Sequence, residues 1–290
     1  MTDNPIQRAM PRQAVILGGT GMVGRAWHGL LTAHRVPHRV LSRPEIDLLE
    51  PASLASAIDE RDELIINAAA WTDVDGAESA ESDATRANGE AVGVLADRAA
   101  RTGATLLHYS TDYVFSGHAE SPYPVDAPIH PVNAYGRSKA VGERLLIASG
   151  CDHLLLRTSW VYAPWGRNFV RTIASLSADR DELRVVDDQR GRPTSAESLA
   201  VTSLAIYLAG GRGVFHATDA GECTWHEFAT EIVTLLRRRC RVLPCSSDAF
   251  PRPAMRPAYS VLDLSLTEQL IGPRTHWRVS LARVIERLGA

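Results

Sequence analysis

The sequence predicts an α/β protein: a Rossmann-type, doubly wound parallel sheet with a smaller C-terminal substrate-binding portion. In the first half of the chain, short uninterrupted apolar runs alternate with helical stretches, and a glycine-rich turn joins the first run to the first helix. Strands that are apolar on both faces are typical of a parallel sheet covered by helices on both sides. Right-handed crossovers between such strands then favour the doubly wound topology.

The predicted elements alternate along the chain. Strands are expected at 14–17, near Val40, and at 64–67, 105–110 and 154–157. The intervening helices are expected at 22–33, around 53–58, at roughly 84–101 and in the stretch that begins at Asn133. After residue 157 the regular alternation of strands and helices stops. This part contains "VVDD", a helix expected over 196–208, the short strand "GVFHA" and a helix expected over 225–239 that ends in an arginine cluster. Cations favour that end of a helix, so the cluster is interpreted as a solvated C-terminus.

The end of the regular strand–helix alternation predicts the domain organisation. Residues 13–158 are expected to form a dinucleotide-binding domain, with 184–218 returning to its sheet. Residues 159–183 and 219–290 are expected to form the substrate-binding portion, and residues 1–12 a loose tail.

Composition excludes several classes of partner. The 290 residues carry a net charge of -3 with a pI near 6.4, which does not favour nucleic acid or an anionic membrane. No apolar run approaches the roughly 18 residues needed to span a bilayer. The four cysteines form no CxxC pair and predict no metal site. We therefore expect a cytoplasmic protein that is a monomer or a homodimer.

The glycine turn predicts a dinucleotide site. Gly18, Gly21 and Gly24 lie between the first strand and the first helix in "AVILGGTGMVGRAW". A pyrophosphate needs bare main-chain amides and the positive end of a helix, and glycines at these positions permit the tight turn, the close approach and the helix–strand packing. Thr20, Met22 and Val23 belong to the same turn and are expected to contact the cofactor.

The residues after the second strand bear on the choice of cofactor. NAD sites usually place an acid there, but this chain has Arg43, whose guanidinium suits a 2′-phosphate. Asp47 and Leu48 follow and are included in the predicted cofactor site. NADPH is therefore the expected cofactor, with NADH as the alternative.

Lys139 is the only lysine in a chain whose other basic residues, among 31 Lys and Arg, are all arginine. It lies four residues after Tyr135, so on a helix the two share one face. A nearby ammonium is expected to lower the pKa of the phenol, normally about 10, and to hold the ribose hydroxyls. Tyr135 is then the predicted general acid that protonates a carbonyl oxygen as hydride reaches its carbon.

A third catalytic residue is predicted at the carboxyl end of the fourth strand, in "HYSTDYVFSG". Ligands of open α/β sheets bind at that edge, and a hydroxyl there can position a carbonyl oxygen. Thr111 is the preferred residue, with Ser110 as the alternate.

The chain resembles the dTDP-4-dehydrorhamnose reductases, a family of extended short-chain dehydrogenase/reductases, from about Gln13 to its C-terminal helix. The resemblance is carried by "GGTGMVG", "NAAAWTDVDGAE", "YSTDYVFSG", "NAYGRSK", "RTSWVYAPWGRNFV", "VVDDQRGRPTSA" and "RPAYSVLD". It implies that NADPH or NADH reduces the 4-keto group of a dTDP-4-dehydro-6-deoxy-L-hexose, with Thr111, Tyr135 and Lys139 as the catalytic set.

The resemblance also implies further contacts. Those to the nicotinamide are Asn67, Ala68 and Ala69. Asp112 and Tyr113 would touch the sugar, with Trp160 as an apolar wall against its deoxy face. Asn168, Arg192 and Arg256 would bind the nucleotide diphosphate.

The sequence departs from the family pattern at Met22-Val23, Trp71 and Gly76, which leaves the identity of the sugar open. Whether the reaction needs Mg²⁺ is also left open. One alternative is a nucleotide-sugar 4,6-dehydratase or 4-epimerase of the same superfamily. Tyr113 disfavours the dehydratase, because it stands where such enzymes carry an acid. The other alternative is a non-catalytic NADP-binding regulatory subunit like that of methionine adenosyltransferase, which the intact Thr111, Tyr135 and Lys139 disfavour.

Overall fold

The parallel sheet is the centre of the computed structural model, which describes residues 8–288. Its six strands run in the order β10-β5-β4-β3-β1-β2, all paired in parallel. They are β1 (Ala14–Leu17), β2 (His38–Leu41), β3 (Leu64–Asn67), β4 (Thr105–Thr111), β5 (His153–Thr158) and β10 (Gly213–His216). β1, β3 and β4 are fully buried, as expected for strands covered on both faces.

Helices cover both faces of this sheet. The helices of the first half are α1 (Met22–Ala33), α2 (Pro51–Ala57), α3 (Val74–Ser79), α4 (Glu81–Thr85), α5 (Ala91–Thr102) and α6 (Ala134–Ala148). α1 and α8 (Ala196–Leu208) contribute buried side chains to the core on one face, and α2, α5 and α6 contribute to the core on the other. The predicted doubly wound fold is confirmed.

A second, smaller core lies in the C-terminal part of the chain. It combines α7 (Phe169–Asp179), α9 (Trp225–Leu235) and α11 (Trp277–Leu288) with β7 (Glu182–Val186) and β12 (Arg241–Cys245). The remaining elements are β6 (Val161–Tyr162), β8 (Arg190–Gly191), β9 (Thr194–Ser195), β11 (Cys223–Thr224) and α10 (Ser265–Ile271). The pairs β7–β12, β8–β11 and β6–β9 form three two-stranded sheets apart from the main one.

Three boundaries differ from expectation. Of the segment 184–218, β10 joins the main sheet, whereas β7 pairs with β12 instead. The helix expected over 225–239 ends at Leu235, because Arg237 takes a left-handed φ of 54°. The tail is not loose from residue 8 onward, since Arg8 forms an ion pair with Asp152 and its main-chain N–H donates to Leu208. Residues 1–7 lie outside the described part of the chain.

The helix expected over 84–101 is also not continuous. α4 and α5 flank a five-residue π-helical segment, Arg86–Glu90. Gly89 and Gly142 let this segment pack closely on α6, since an added Cβ at Gly142 would lie 2.2 Å from the carbonyl oxygen of Asn88. π-bulges are often found at functional sites, and this one places Asn88 beneath the cavity described below.

Candidate active site

The glycine turn forms one end of a cavity of about 890 Å³ at the carboxyl edge of the sheet. Gly18 has a φ of +82°, and a Cβ there would lie 2.7 Å from the main chain of Ala69. Gly24 packs below, where a Cβ would lie 2.2 Å from the carbonyl oxygen of Gly18. Gly21, the N-cap of α1, lines the cavity, and the first turn of that helix carries no acid. Bare amides and an uncompensated helix N-terminus fit a pyrophosphate.

The loop after β2 borders the same end of the cavity. Ser42, Arg43, Asp47 and Leu48 line it, and the side chain of Arg43 is exposed. Asp47 accepts a hydrogen bond from the main-chain N–H of Leu49, so its carboxylate is partly used within its own loop. Thr20, Met22 and Val23 complete the lining on the opposite side.

The three predicted catalytic residues line the other end of the cavity. Thr111 ends β4; its hydroxyl donates to Asp112 Oδ1 at 3.0 Å and accepts from the main-chain N–H of Tyr113 at 3.1 Å. Tyr135 and Lys139 lie one turn apart on α6, whose N-cap Asn133 accepts a hydrogen bond from Gly136. The structure thus brings together a hydroxyl, a phenol and an amine from β4 and α6.

The ammonium of Lys139 is directed at the sheet. Its Nζ donates to the carbonyl oxygen of Tyr109 at 2.6 Å and lies 3.3 Å from His108 Nε2. Burial lowers the pKa of Lys139 to about 8, against an opposing effect of Glu143. Lys139 is therefore buried, with a main-chain partner and a neutral imidazole as neighbours.

The expectation that Lys139 lowers the pKa of Tyr135 is wrong in this structure. Burial, followed by the charge of Asp112, raises the pKa of Tyr135 to about 12, and only a smaller effect of the neighbouring Thr111 hydroxyl opposes this. Desolvation of the phenol dominates, and the ammonium of Lys139 is directed at the carbonyl oxygen of Tyr109. The phenol is protonated at neutral pH, as an unperturbed phenol is, and this is the form needed to donate a proton.

Asp112 adds a second perturbed group. Burial raises the pKa of its carboxyl from 3.8 to about 7, opposed by smaller effects of the neighbouring Ser260 and Thr111 hydroxyls, of which Thr111 donates to Oδ1. Asp112 lines the cavity beside Ser110 and Tyr113, which were also expected on the sugar side. The Tyr113 ring meets the Tyr135 ring edge-on, with centroids 6.0 Å apart.

Asn67 lies behind the cavity and supports its wall. Ala68 and Ala69 line it, whereas the Asn67 amide contacts His108 Nδ1 at 3.0 Å and accepts from the Ala69 N–H at 3.3 Å. Asn67 is therefore placed to position this loop and His108.

The three residues expected at the diphosphate do not line the cavity. Asn168 is the N-cap of α7, and its amide donates to the carbonyl oxygen of Ala163 at 2.9 Å. Arg256 is bonded to both carboxylate oxygens of Asp75. Arg192 is half-buried, and its carbonyl oxygen accepts from Ser159. The sequence could not reveal that a helix cap occupies the Asn168 side chain and that an ion pair occupies the Arg256 side chain.

Two residues of the site were missed, one in the cavity lining and one behind it. Trp225 lines the cavity and stacks on Trp160, with ring centroids 3.5 Å apart. Asn88 is buried; its amide accepts from the Trp71 N–H at 2.9 Å and donates to Ser138, which fixes the wall at Trp71. The sequence signals that could have found them are the position of Trp225 at the start of a capped helix and the position of Asn88 next to Gly89. Gly76, in contrast, lies at the N-terminus of α3 and donates to its N-cap Asp73.

Comparison with known proteins identifies the family. The RmlD substrate binding domain family matches residues 12–290. A dTDP-4-dehydrorhamnose reductase of Burkholderia thailandensis is 40% identical over 94% of this chain and 98% of its own length. A dTDP-4-keto-6-deoxy-D-glucose reductase of Streptomyces niveus is 37% identical over 95% and 97%.

A solved structure extends the likeness to three dimensions. The dTDP-4-dehydrorhamnose reductase of Bacillus anthracis in complex with NADP superposes with a TM-score of 0.90 at 31% identity, covering 96% of this chain and 99% of that one. Among the residues described here, no helix is long and apolar enough to cross a bilayer. Sequence, fold and cavity agree, and the chain belongs to the RmlD family of dTDP-4-dehydrorhamnose reductases.

Proposed function

We propose that the protein uses NADPH to reduce the 4-keto group of a dTDP-4-dehydro-6-deoxy-L-hexose, giving the dTDP-6-deoxy sugar. The observation that carries the proposal is that Thr111, Tyr135 and Lys139 line the same cavity as the glycine turn. A reacting carbonyl in that cavity would lie within reach of both a proton donor and a dinucleotide. The reduced nicotinamide supplies the hydride when bound.

The residues of the chain have separate tasks in this reaction. Thr111 is the hydroxyl that would hold the substrate carbonyl, because it lines the cavity beside Tyr135 and could turn its proton from Asp112 Oδ1 to the carbonyl oxygen. Tyr135 gives its phenolic proton to the carbonyl oxygen as that oxygen gains negative charge, and its phenol is in the protonated form at neutral pH. Lys139 anchors this end of α6 to β4 and offers its remaining N–H to the ribose.

NADPH is the cofactor supported by the loop after β2. Arg43 is an exposed guanidinium on the cavity wall, where a 2′-phosphate would meet it, and a family relative was solved with NADP. Arg43→Ala should raise KM for NADPH by about tenfold and leave KM for NADH nearly unchanged, because one charged hydrogen-bonded contact of about 1.4 kcal/mol is lost. Steady-state kinetics with both cofactors measure this ratio; equal effects on the two would contradict the assignment.

The identity of the sugar substrate is tested by comparing two candidate substrates. Two substrates should be offered, dTDP-4-keto-6-deoxyglucose alone and the same compound with a 3,5-epimerase that supplies dTDP-4-dehydrorhamnose. Loss of absorbance at 340 nm is expected with the epimerised substrate, and NMR of the product reports the configuration at C4. Oxidation of NADPH without the epimerase would instead indicate the substrate named for the Streptomyces niveus relative. Turnover of a nucleotide sugar without added NADPH or NADH would contradict a reductase.

A further inference from the structure

Trp160 has a main-chain conformation that its side chain does not favour. Its φ of 47° lies in the left-handed region, and it connects β5 to β6 on the cavity wall. A bulky residue at such a φ costs about 1–3 kcal/mol and persists only where its surroundings hold it. The contacts of its indole therefore show which neighbours hold the residue in this conformation and how the side chain is oriented.

One face of the indole is covered by Trp225. The two ring planes are 7° from parallel, and their centroids are 3.5 Å apart. Trp225 is itself held in place: it begins α9 behind the capping box of Thr224 and Glu227, and Phe169 packs with its ring centroid 4.6 Å away. Trp225 is thus a fixed surface for Trp160 to stack on.

Gly191 covers the opposite face. A Cβ on Gly191 would lie 2.6 Å from Cε2 of Trp160 and 2.8 Å from both Nε1 and Cζ2. Nearly equal distances to an atom and its two neighbours place Gly191 above the ring plane. The face toward Trp225 has no room for it, since only 3.5 Å separates those rings. Only a glycine fits this contact.

Gly191 and Trp225, which enclose the two faces of the Trp160 indole and are here called the clamp, are held by one short antiparallel sheet. Gly191 pairs with Cys223 in the β8–β11 sheet, and Trp225 follows β11 directly. Their spacing is therefore set by main-chain pairing. Since both faces of the indole are covered, Trp160 offers its edge to the cavity, and the hydrogens of an aromatic edge carry partial positive charge that suits oxygen atoms.

We propose that Gly191 and Trp225 are positioning residues that clamp Trp160 edge-on beside the hexose of the substrate, and that this clamp sets the affinity for the dTDP-sugar. The choice of ligand rests on the proposed function. In place of the expected apolar wall against the deoxy carbon, the indole edge would contact oxygen atoms of the hexose.

The clamp is tested by spectroscopy and kinetics on the same variants. Two indoles in contact produce an exciton couplet in circular dichroism through the rotation of their transition moments relative to each other. Gly191→Ala and Trp225→Leu should each lose the couplet and raise KM for the sugar substrate by about tenfold, with KM for NADPH unchanged, because only binding of the sugar is affected. Trp160→Leu identifies the couplet by abolishing it. Trp225→Phe, which keeps a ring against Trp160, should restore most of the sugar affinity.

Gly29→Ala is the matched control, because a Cβ at that position meets nothing within 4 Å. It should keep both the couplet and the KM values. Retention of the couplet in Gly191→Ala, or its loss without a change in KM for the sugar, would overturn the proposal. If the wild-type protein shows the couplet but reduces no dTDP-ketosugar, the proposed function is wrong, and so is the role of the clamp in binding the sugar. The spectra of the variants would still test whether Gly191 and Trp225 hold Trp160 in place.

Discussion

At the scale of single residues, burial decides the acid–base properties of the site. Tyr135 and Asp112 both have a raised pKa, because desolvation disfavours their charged forms. Lys139 has a lowered pKa for the same reason. The site therefore holds a neutral phenol ready to donate, beside a carboxyl that titrates near neutrality.

Tyr135→Phe removes the proposed proton donor and leaves the ring in place. We expect kcat to fall by about 10²-fold or more, the range for loss of a general acid, with little change in NADPH affinity. Steady-state assays give kcat, and fluorescence titration gives the dissociation constant. A kcat within a few-fold of wild type would show that another group supplies the proton.

Asp112→Asn should change how stability depends on pH. The folded-state pKa of Asp112 is raised from 3.8 to about 7, so the cost of its charge is absent below pH 3.8 and complete above pH 7. Wild-type stability should fall over that interval by an amount on the order of a few kcal/mol, and the variant should lack this loss. Denaturant unfolding of both proteins at pH 5 and pH 8 measures the difference. An equal difference at the two pH values would refute the raised pKa.

At the scale of elements, close backbone packing shapes the cofactor end of the cavity. β1 and α1 meet through Gly18 and Gly24, and the wall behind them comes from the loop after β3. The glycine spacing predicted this arrangement. The π-helical segment on the other side of the sheet was not predicted, since its hydrogen-bond shift depends on packing against α6.

Gly24→Ala should distort the turn, because the new Cβ would lie 2.2 Å from the carbonyl oxygen of Gly18. Overpacking of this kind costs about 1–3 kcal/mol, so NADPH affinity should fall by about tenfold or more. Gly29→Ala, on the same helix with no neighbour for its Cβ, should leave affinity unchanged and raise stability by about 0.5–1 kcal/mol. Calorimetric titration with NADPH compares the two, and similar affinities would exclude a close-packed turn.

At the scale of the whole molecule, a buried ion pair ties α6 to the sheet. Arg157 of β5 and Glu143 of α6 are 3% and 0% exposed, and Nη2 lies 2.8 Å from Oε2. Arg157 also donates to the carbonyl oxygen of Val125 and lies over the ring of Phe115, 5.0 Å from its centroid. The helix that carries Tyr135 and Lys139 is therefore fixed to the strand beside β4.

Glu143→Gln should destabilise the fold by about 3 kcal/mol or more, because it leaves the guanidinium of Arg157 buried without a counter-charge. Glu81→Gln is the control: it breaks the Arg137–Glu81 pair, whose side chains are each 44% exposed, and should cost about 1 kcal/mol or less. Urea unfolding gives both values. A loss for Glu143→Gln no larger than that of the control would mean that the buried pair does not hold α6.

The sequence by itself determined the alternation of strands and helices in the first half of the chain and the glycine turn, and it named Thr111, Tyr135 and Lys139 as candidates, since these depend on local periodicity and spacing. Only the tertiary structure decided where Asn168, Arg192 and Arg256 lie: Asn168 caps its own helix, Arg256 pairs with the distant Asp75, and Arg192 is half-buried away from the cavity lining. The pKa of Tyr135 was also beyond the sequence, because it depends on desolvation by the assembled cavity. The pairing of Trp160 with Trp225 joins residues from separate elements and exists only when β8 and β11 meet.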